Sequence, residues 1–150
     1  MQPITIGFSN YIITTDKSLM RVRDVHQWLT TTAYWCIGIP FETFATAFEN
    51  SHCIGAIIEG KQIAFARLIT DYATFAYLAD VYVTEPHRGR GLSRKMMELL
   101  LGQEWVAGLR CIRLATKGTH GLYRKFGFTD CAHPGRIMEI VRPGIYNKQE

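Results

Sequence analysis

The stretch that decides the fold reads Val81-Tyr82-Val83-Thr84-Glu85-Pro86-His87-Arg88-Gly89-Arg90-Gly91-Leu92-Ser93-Arg94-Lys95-Met96-Met97. Its first three residues are apolar and β-branched or aromatic, which predicts a strand. A basic, glycine-rich loop follows, and then apolar residues at helical spacing predict a helix. The free N–H groups and positive dipole end of a helix start attract anions. We therefore expect a phosphate-binding loop between a strand and a helix.

The composition is that of an ordinary globular protein, with 47% hydrophobic and 20% charged residues among 150. This length suits one domain, so we expect a single domain over residues 1–150. The formal net charge of +4 is compatible with an anionic ligand but falls short of typical nucleic-acid binders. The sequence contains neither an apolar run of membrane-spanning length nor a secretory signal, so we expect a cytoplasmic protein without membrane contact.

The four cysteines are scattered along the chain, at positions Cys36, Cys53, Cys111 and Cys131. They form neither a C-x-x-C pair nor a spacing that suits zinc. We therefore expect reduced, mostly buried thiols and no metal site.

Periodicity predicts alternating strands and helices along the chain. Helices are expected from about residue 16 to the threonines at 30–32, from 40 to about 50, from 92 to about 106 and over 118–125. Strands are expected within 4–15 and over 52–58, 63–70, 75–83, 110–116, from 127, and over 136–142. The three strands between 52 and 83 should form an antiparallel meander, and the strand at 110–116 should run parallel to 75–83.

Two motifs in this order resemble one family. Arg88-Gly89-Arg90-Gly91-Leu92-Ser93 resembles the R/Q-x-x-G-x-G/A signature of the GNAT N-acetyltransferase superfamily, and Gly121–Phe128 resembles its L-Y-x-x-x-G-F segment. The resemblance implies a three-layer α/β (α+β) fold. Its mixed, mostly antiparallel sheet would have about six to seven strands, with a parallel splay after the meander and helices on both faces. Ser93 departs from the usual Gly or Ala.

The resemblance also implies acetyl-CoA as the cosubstrate. The loop amides would bind the pyrophosphate, while the strand edge at Val81–Val83 would pair with pantetheine. A backbone N–H near Val81 would stabilise the oxyanion. The residues implied in cofactor binding are Val81, Tyr82, Val83, Arg88, Gly89, Arg90, Gly91, Leu92 and Ser93.

Tyr123 matches the tyrosine that protonates the departing thiolate in many members of the family, so the resemblance implies a general acid there. The general base stays open. Asp80 is either a base or a structural partner of Arg67. Further alternatives are Asp71, His26, His120 and a water relay.

The acceptor pocket is expected at the loop after the first helix and at the turn before residue 75, because both contain aromatic residues. The predicted pocket residues are Tyr34, Trp35, Asp71 and Tyr72. The acceptor would be a small-molecule or peptide amine, and its identity stays open. The oligomeric state stays open too, with a homodimer as one alternative.

Three functions compete at this point. The first is transfer of an acetyl group from acetyl-CoA to a primary amine, by direct attack in a ternary complex. The alternative is a non-catalytic module that binds CoA or acyl-CoA and regulates. A nucleic-acid binder using the basic run 87–95 comes third, because that run is short and its glycines suit a phosphate loop better than a groove-reading helix.

Overall fold

A computed structural model describes residues 1–147. The elements in chain order are β1 (Thr5–Phe8), β2 (Tyr11–Thr14), α1 (Val22–Thr32), α2 (Phe41–Glu49), β3 (His52–Ile58), β4 (Lys61–Thr70), β5 (Phe75–Val83), α3 (Leu92–Leu101), α4 (Glu104–Ala107), β6 (Cys111–Arg113) and α5 (His120–Arg124). Short 3-10 helices lie at Lys17–Leu19, Glu85–His87 and Pro134–Arg136. None of the helices in this part of the chain has the length and apolar character that crossing a bilayer requires.

The six strands form one sheet in the order β1 to β6. Neighbouring strands are antiparallel from β1 to β5, whereas β5 and β6 are parallel. The β5–β6 pairing covers only Phe75 to Tyr77 on β5, opposite Cys111 to Arg113. Beyond Tyr77 the two strands separate, which confirms the mixed sheet with a parallel splay.

Helices cover both faces of the sheet and bury two apolar clusters. On one face, Val25 and Leu29 of α1 pack with Phe44 and Phe48 of α2 against Phe65 of β4. On the other face, α3 buries a stripe against β3, β4 and β5, formed by Leu92, Met96, Met97 and Leu100. Their spacing of three to four residues places each set on one side of its helix. The three-layer α/β architecture is thereby confirmed.

The N-terminal region differs in detail from the expectation. The strand expected within 4–15, for which the sequence left a break near 7–10 open, is a hairpin, because Ser9 turns the chain with a φ of +54°. Asp16 caps the 3-10 helix by accepting from the Ser18 N–H, and α1 begins only at Val22. The helix also continues through Thr32, where we expected it to fade. The hydroxyls of Thr31 and Thr32 donate to carbonyl oxygens four residues earlier, which satisfies them inside the helix.

The C-terminal third differs more. The helix expected to reach 106 breaks at Gly102 into α3 and α4. The strand expected over 110–116 is ordered as a ladder only over Cys111–Arg113. Strands were also expected from residue 127 and over 136–142, but neither segment joins the sheet. A strand needs a hydrogen-bonded neighbour, and within residues 1–147 these segments have none.

Candidate functional site

The glycine-rich loop presents a row of free donors. Gly89 and Gly91 have φ values of +76° and +81°, which side chains with a Cβ rarely adopt. Gly91 immediately precedes α3 and has no side-chain cap. Within residues 1–147, the backbone N–H groups from Gly89 to Arg94 find no acceptor. The loop can therefore offer up to six N–H groups, together with the positive end of α3, to an anion.

The basic side chains of the loop are held by neighbouring elements. Arg88 donates from Nε to the Val83 carbonyl at 2.8 Å, and its guanidinium lies 5.4 Å from the centre of the Tyr82 ring. Arg90 reaches the Tyr11 hydroxyl at 3.4 Å, and that hydroxyl pairs with His87 at 2.8 Å. These contacts tie the loop to β5 and to the N-terminal hairpin. They leave the backbone amides as the main anion donors.

The carboxyl end of β5 has an open edge. The Thr84 N–H donates to the Ile63 carbonyl of β4 at 2.9 Å, so Thr84 faces that strand. Backbone groups alternate along a strand, and those of Val83 therefore face the opposite edge. β6 has already separated from β5 there. Because Arg88 occupies the Val83 carbonyl, the Val83 N–H is the free group of that residue on this edge.

A β-bulge precedes Val81. The register between β4 and β5 shifts between Phe65 and Arg67, and Asp80 has a φ of +54°. A bulge inserts one residue into the ladder and re-aims the side chains around it. Here it places Asp80 toward Arg67, while Val81 packs in the cluster beneath α3. The two side chains thus lie on opposite faces of the sheet.

Asp80 is fully engaged by two partners. One carboxylate oxygen accepts from Arg67 Nε at 2.7 Å and the other from Trp35 Nε1 at 2.7 Å. Arg67 also donates to the Ser51 hydroxyl at 2.8 Å. Only 10% of the Asp80 side chain and 14% of the Arg67 side chain are exposed. Of the two roles that the sequence left open, this geometry favours the structural one.

Tyr123 lies on α5 with its ring buried and its hydroxyl unpaired. The ring is 8% exposed and packs edge-on against Phe128, with 5.9 Å between the centroids. The hydroxyl makes no hydrogen bond within residues 1–147 but remains in contact with solvent. Burial, with a smaller contribution from Tyr34, raises the pKa of the Tyr123 phenol. The phenol therefore stays protonated at neutral pH and can donate.

The loop after α1 contributes an aromatic wall beside the end of β5. Tyr34 and Trp35 meet edge to face at 5.0 Å, and Trp35 lies 6.5 Å from the Tyr82 ring. Tyr82 in turn stacks on Trp28 at 5.3 Å. Sequence reasoning missed Trp28, which lies three residues after Val25 and packs against the cluster of α1 and α2.

One cation also joins this aromatic wall, and sequence reasoning missed it. The Lys117 ammonium lies 4.2 Å from the centre of the Tyr34 ring. Lys117 belongs to the connection between β6 and α5, and only the parallel crossover brings that connection to the loop after α1. No local pattern in the sequence predicts this contact.

In the part of the chain that the structure describes, Asp71 and Tyr72 make no contact with this group. Both lie in the turn before β5, whereas Trp35 bonds Asp80 within that strand, and the four-residue acceptor pocket stays a prediction. Tyr72 packs on Trp105 at 4.8 Å. The Asp71 carboxylate accepts from Thr74 and Ala73, which holds its pKa far below the ordinary range.

The two histidines that were candidates for the base lie in different parts of the fold. His26 pairs with the Ile39 carbonyl at 2.7 Å between α1 and α2, and His120 is exposed at the start of α5.

Cys36 and Cys53 are buried, and burial raises the pKa of each thiol to about 12. Cys111 is partly buried and Cys131 exposed, so the expectation of mostly buried thiols holds for two of the four. In the part of the chain that the structure describes, no three His, Cys, Asp or Glu side chains converge as a metal site would require.

The loop with free backbone donors follows the carboxyl end of β5, beyond the point where β5 and β6 separate, and Tyr123 lies on α5 after β6. The sequence model described as "Acetyltransferase (GNAT) family" matches residues 22–128, well over half of the chain. The chain belongs to the GNAT acetyltransferase family. Its family-level activity is acetyl transfer.

Other GNAT proteins support the same assignment. A Gibberella zeae protein, provisionally named an acetyltransferase, is 29% identical over 142 residues, which cover 81% of this chain and 80% of the relative. A Xanthomonas campestris crystal structure, provisionally assigned to the GNAT family, is 41% identical, covers 95% of this chain and 100% of its own, and has a TM-score of 0.89. A Clostridium acetobutylicum structure with acetyl-CoA shares the fold, with a TM-score of 0.60 and 17% identity. The match covers 88% of this chain and 95% of the Clostridium chain.

Proposed function

We propose that this GNAT protein is an N-acetyltransferase that moves the acetyl group of acetyl-CoA to a primary amine in a ternary complex. The observation that carries the proposal is the row of unpaired N–H groups from Gly89 to Arg94, directly after a strand with an open edge. The row of N–H groups suits a pyrophosphate, and the open strand edge suits the amides of pantetheine. The presence of acetyl-CoA in the Clostridium structure of the same fold supports the choice of cosubstrate.

The proposed chemistry begins at the open edge of β5. The amine nitrogen attacks the thioester carbonyl carbon, and the carbonyl oxygen becomes an oxyanion that the Val81 N–H stabilises. The C–S bond then breaks, and the departing thiolate takes a proton from the Tyr123 hydroxyl. The products are the acetylated amine and CoA.

The amine must also lose a proton, and no protein base is assigned to this step. Both oxygens of Asp80 are occupied by Arg67 and Trp35, while the Asp71 carboxylate is held in its turn. We therefore propose that solvent water at the splay receives the amine proton. The acceptor would enter beside Tyr34, Trp35 and Lys117, and its identity within the class of primary amines stays open.

The test pairs two glycine variants. Gly91→Glu places a carboxylate against the anion site and should abolish acetyl-CoA binding in calorimetry and amine-dependent release of free CoA thiol. Gly60→Glu is the matched control, because Gly60 has a similar φ of +76° in the β3–β4 turn and equally adds one negative charge. We expect it to bind acetyl-CoA like the wild type. Unchanged binding by Gly91→Glu would contradict the loop assignment.

The same assay separates the enzyme from a regulatory module. Wild-type protein is offered acetyl-CoA with polyamines, amino acids, aminoglycosides and peptides with free N-termini or lysines. Thiol release that depends on one amine class supports the transferase. Tight acetyl-CoA binding with no release across the panel would instead point to the regulatory module.

A further inference from the structure

Lys117 places a positive charge at the proposed acceptor entry, and no carboxylate within residues 1–147 pairs with it. The residue is exposed, and its ammonium lies 4.2 Å from the centre of the Tyr34 ring. An ammonium carries three N–H donors, and contact with one ring face does not use them all. Lys117 therefore keeps donors for an anionic partner from outside the chain.

The turn that carries Lys117 is closed by hydrogen bonds on either side of it. The hydroxyl oxygens of Thr116 and Thr119 lie 2.6 Å apart, and the Thr119 N–H donates to the Thr116 hydroxyl at 3.3 Å. These bonds fix the backbone from which the side chain extends, while Tyr34 contacts the ammonium at its far end. A cation placed in advance loses less conformational entropy when it binds a ligand.

Contacts connect Lys117 with the groups that are proposed to react. Tyr34, whose ring Lys117 contacts, adds to the effect of burial in raising the pKa of the Tyr123 phenol. Tyr34 also meets Trp35 edge to face, and Trp35 donates to Asp80 in the bulge of β5. The ammonium thus belongs to the same side of the site as the proposed general acid and the strand end where the thioester would lie.

The charge of the aromatic wall is positive on balance. In the described part of the chain, the one carboxylate that contacts the wall is Asp80, which Trp35 reaches at 2.7 Å. Asp80 is paired with Arg67, so these two charges cancel and that of Lys117 remains. An acceptor with only cationic groups would meet a like charge at the entry, which costs free energy, whereas an anionic group would meet an opposite charge.

The rings of the wall are also less available to a cationic acceptor than their number suggests. Exposed aromatic faces attract cations, so the rings alone would favour a polyamine or an aminoglycoside. Lys117, however, already lies over Tyr34. The Tyr82 ring is likewise contacted by Trp28 and by the Arg88 guanidinium. Cations of the chain itself thus occupy positions that a cationic acceptor would need.

We propose that Lys117 makes this protein prefer primary amines that carry an anionic group, a carboxylate or a phosphate, a few bonds from the amine nitrogen. The inference rests on the proposed acetyl transfer and names the acceptor class for that same site. The ammonium would donate to the anionic group while the amine nitrogen of the acceptor faces the thioester. Lys117 would determine specificity and take no part in the proton transfers.

The first test compares acceptors that differ in the anionic group alone. Glycine, leucine and phenylalanine are each set against their amides, and O-phosphoethanolamine is set against ethanolamine, with release of free CoA thiol as the readout. Values of kcat/KM are expressed per unprotonated amine, because loss of the anionic group changes the pKa of the amine. We expect the anionic member to be preferred about tenfold, the effect of one charge-assisted hydrogen bond, and less at high salt. The pairs that show the preference distinguish carboxylate from phosphate.

The second test reverses the charge. Lys117→Glu should raise the KM for the preferred anionic acceptor at least about tenfold and abolish the preference over its neutral analogue, while acetyl-CoA binding stays at the wild-type level. Arg110→Glu is the matched control, because it makes the same change of charge at another exposed residue. Arg110 lies beside the turn before β5, where its N–H donates to the Thr74 carbonyl at 2.9 Å. This variant should keep the wild-type preference.

The outcomes separate this inference from the proposed function. A wild type that acetylates anionic and neutral acceptors equally, or that prefers polyamines, would overturn the inference and leave acetyl transfer standing. So would a Lys117→Glu variant that keeps the wild-type preference. A wild type that binds acetyl-CoA but releases no thiol with any amine would contradict acetyl transfer itself, and the inference would fall with it.

Discussion

At the scale of single residues, Tyr123 combines a buried ring with a hydroxyl that contacts solvent. Its ring is buried against Phe128, yet its hydroxyl has no hydrogen-bond partner within residues 1–147. Because the hydroxyl contacts solvent and has no protein acceptor in the described part of the chain, it is free to donate to a bound ligand. A raised pKa keeps the proton on the phenol until it is needed. These features support the proposed role as general acid.

Replacing Tyr123 by Phe tests that role. General acids typically contribute about 10²–10⁴-fold to a rate, so Tyr123→Phe should lower kcat by about 100-fold. The KM for acetyl-CoA should change little, because the loop and the edge of β5 are untouched. Tyr77→Phe is the control, since Tyr77 lies where β5 and β6 still pair. Steady-state kinetics measure both variants, and an unchanged kcat in Tyr123→Phe would contradict the role.

At the scale of elements, the bulge in β5 connects three parts of the fold. Asp80 links β5 to Arg67 of β4 and to Trp35 in the loop after α1. The same bulge immediately precedes Val81, whose N–H is proposed to stabilise the oxyanion. The ion pair therefore holds the strand in the shape that the proposed oxyanion site requires. In this interpretation Asp80 acts through the position of Val81 and takes no proton.

Asp80→Asn distinguishes a positioning residue from a base. Breaking a largely buried ion pair should lower the free energy of unfolding by about 3 kcal/mol, because Arg67 loses its counter-charge. At a temperature where the variant stays folded, we expect kcat within about tenfold of wild type and an unchanged pH–rate profile. Urea unfolding and pH-dependent kinetics measure the two effects. Loss of the acidic limb of the profile without loss of stability would identify Asp80 as the base.

At the scale of the whole molecule, the two buried thiols should make the free energy of unfolding decrease at alkaline pH. Burial raises the pKa of Cys36 and Cys53 from 9.0 to about 12. Between these values the unfolded chain has released both protons while the folded chain retains them. The free energy of unfolding should then fall as pH rises above 9, by up to about 1.4 kcal/mol per pH unit for each thiol.

Urea unfolding in a reducing buffer at pH 8, 9 and 10 checks this slope. The double variant Cys36→Ala, Cys53→Ala should be less stable at pH 8, because both thiols are packed in the core. Its stability should nevertheless change less between pH 9 and 10 than that of the wild type. Cys131→Ala is the control, since Cys131 is exposed and should leave the slope unchanged. Equal slopes in wild type and double variant would refute the assignment.

The sequence by itself determined the central elements and the loop. Their signals are local: the apolar run at 75–83, the glycines at 89 and 91 that adopt positive φ, and the apolar stripe of α3 each act over a few residues. The family resemblance rested on the same contiguous stretches. Its implied fold is confirmed, while the implied roles of Val81 and Tyr123 stay predictions that the geometry supports.

Only the tertiary structure decided which distant residues meet. It paired Asp80 with Arg67 and Trp35, brought Lys117 to Tyr34, and packed Tyr72 against Trp105. It also left Ile137–Val141 without a partner, although the local pattern there is that of a strand. Side-chain type and spacing specify what a segment can form. Whether a strand forms depends on a neighbouring edge, and that edge is supplied by chain packing.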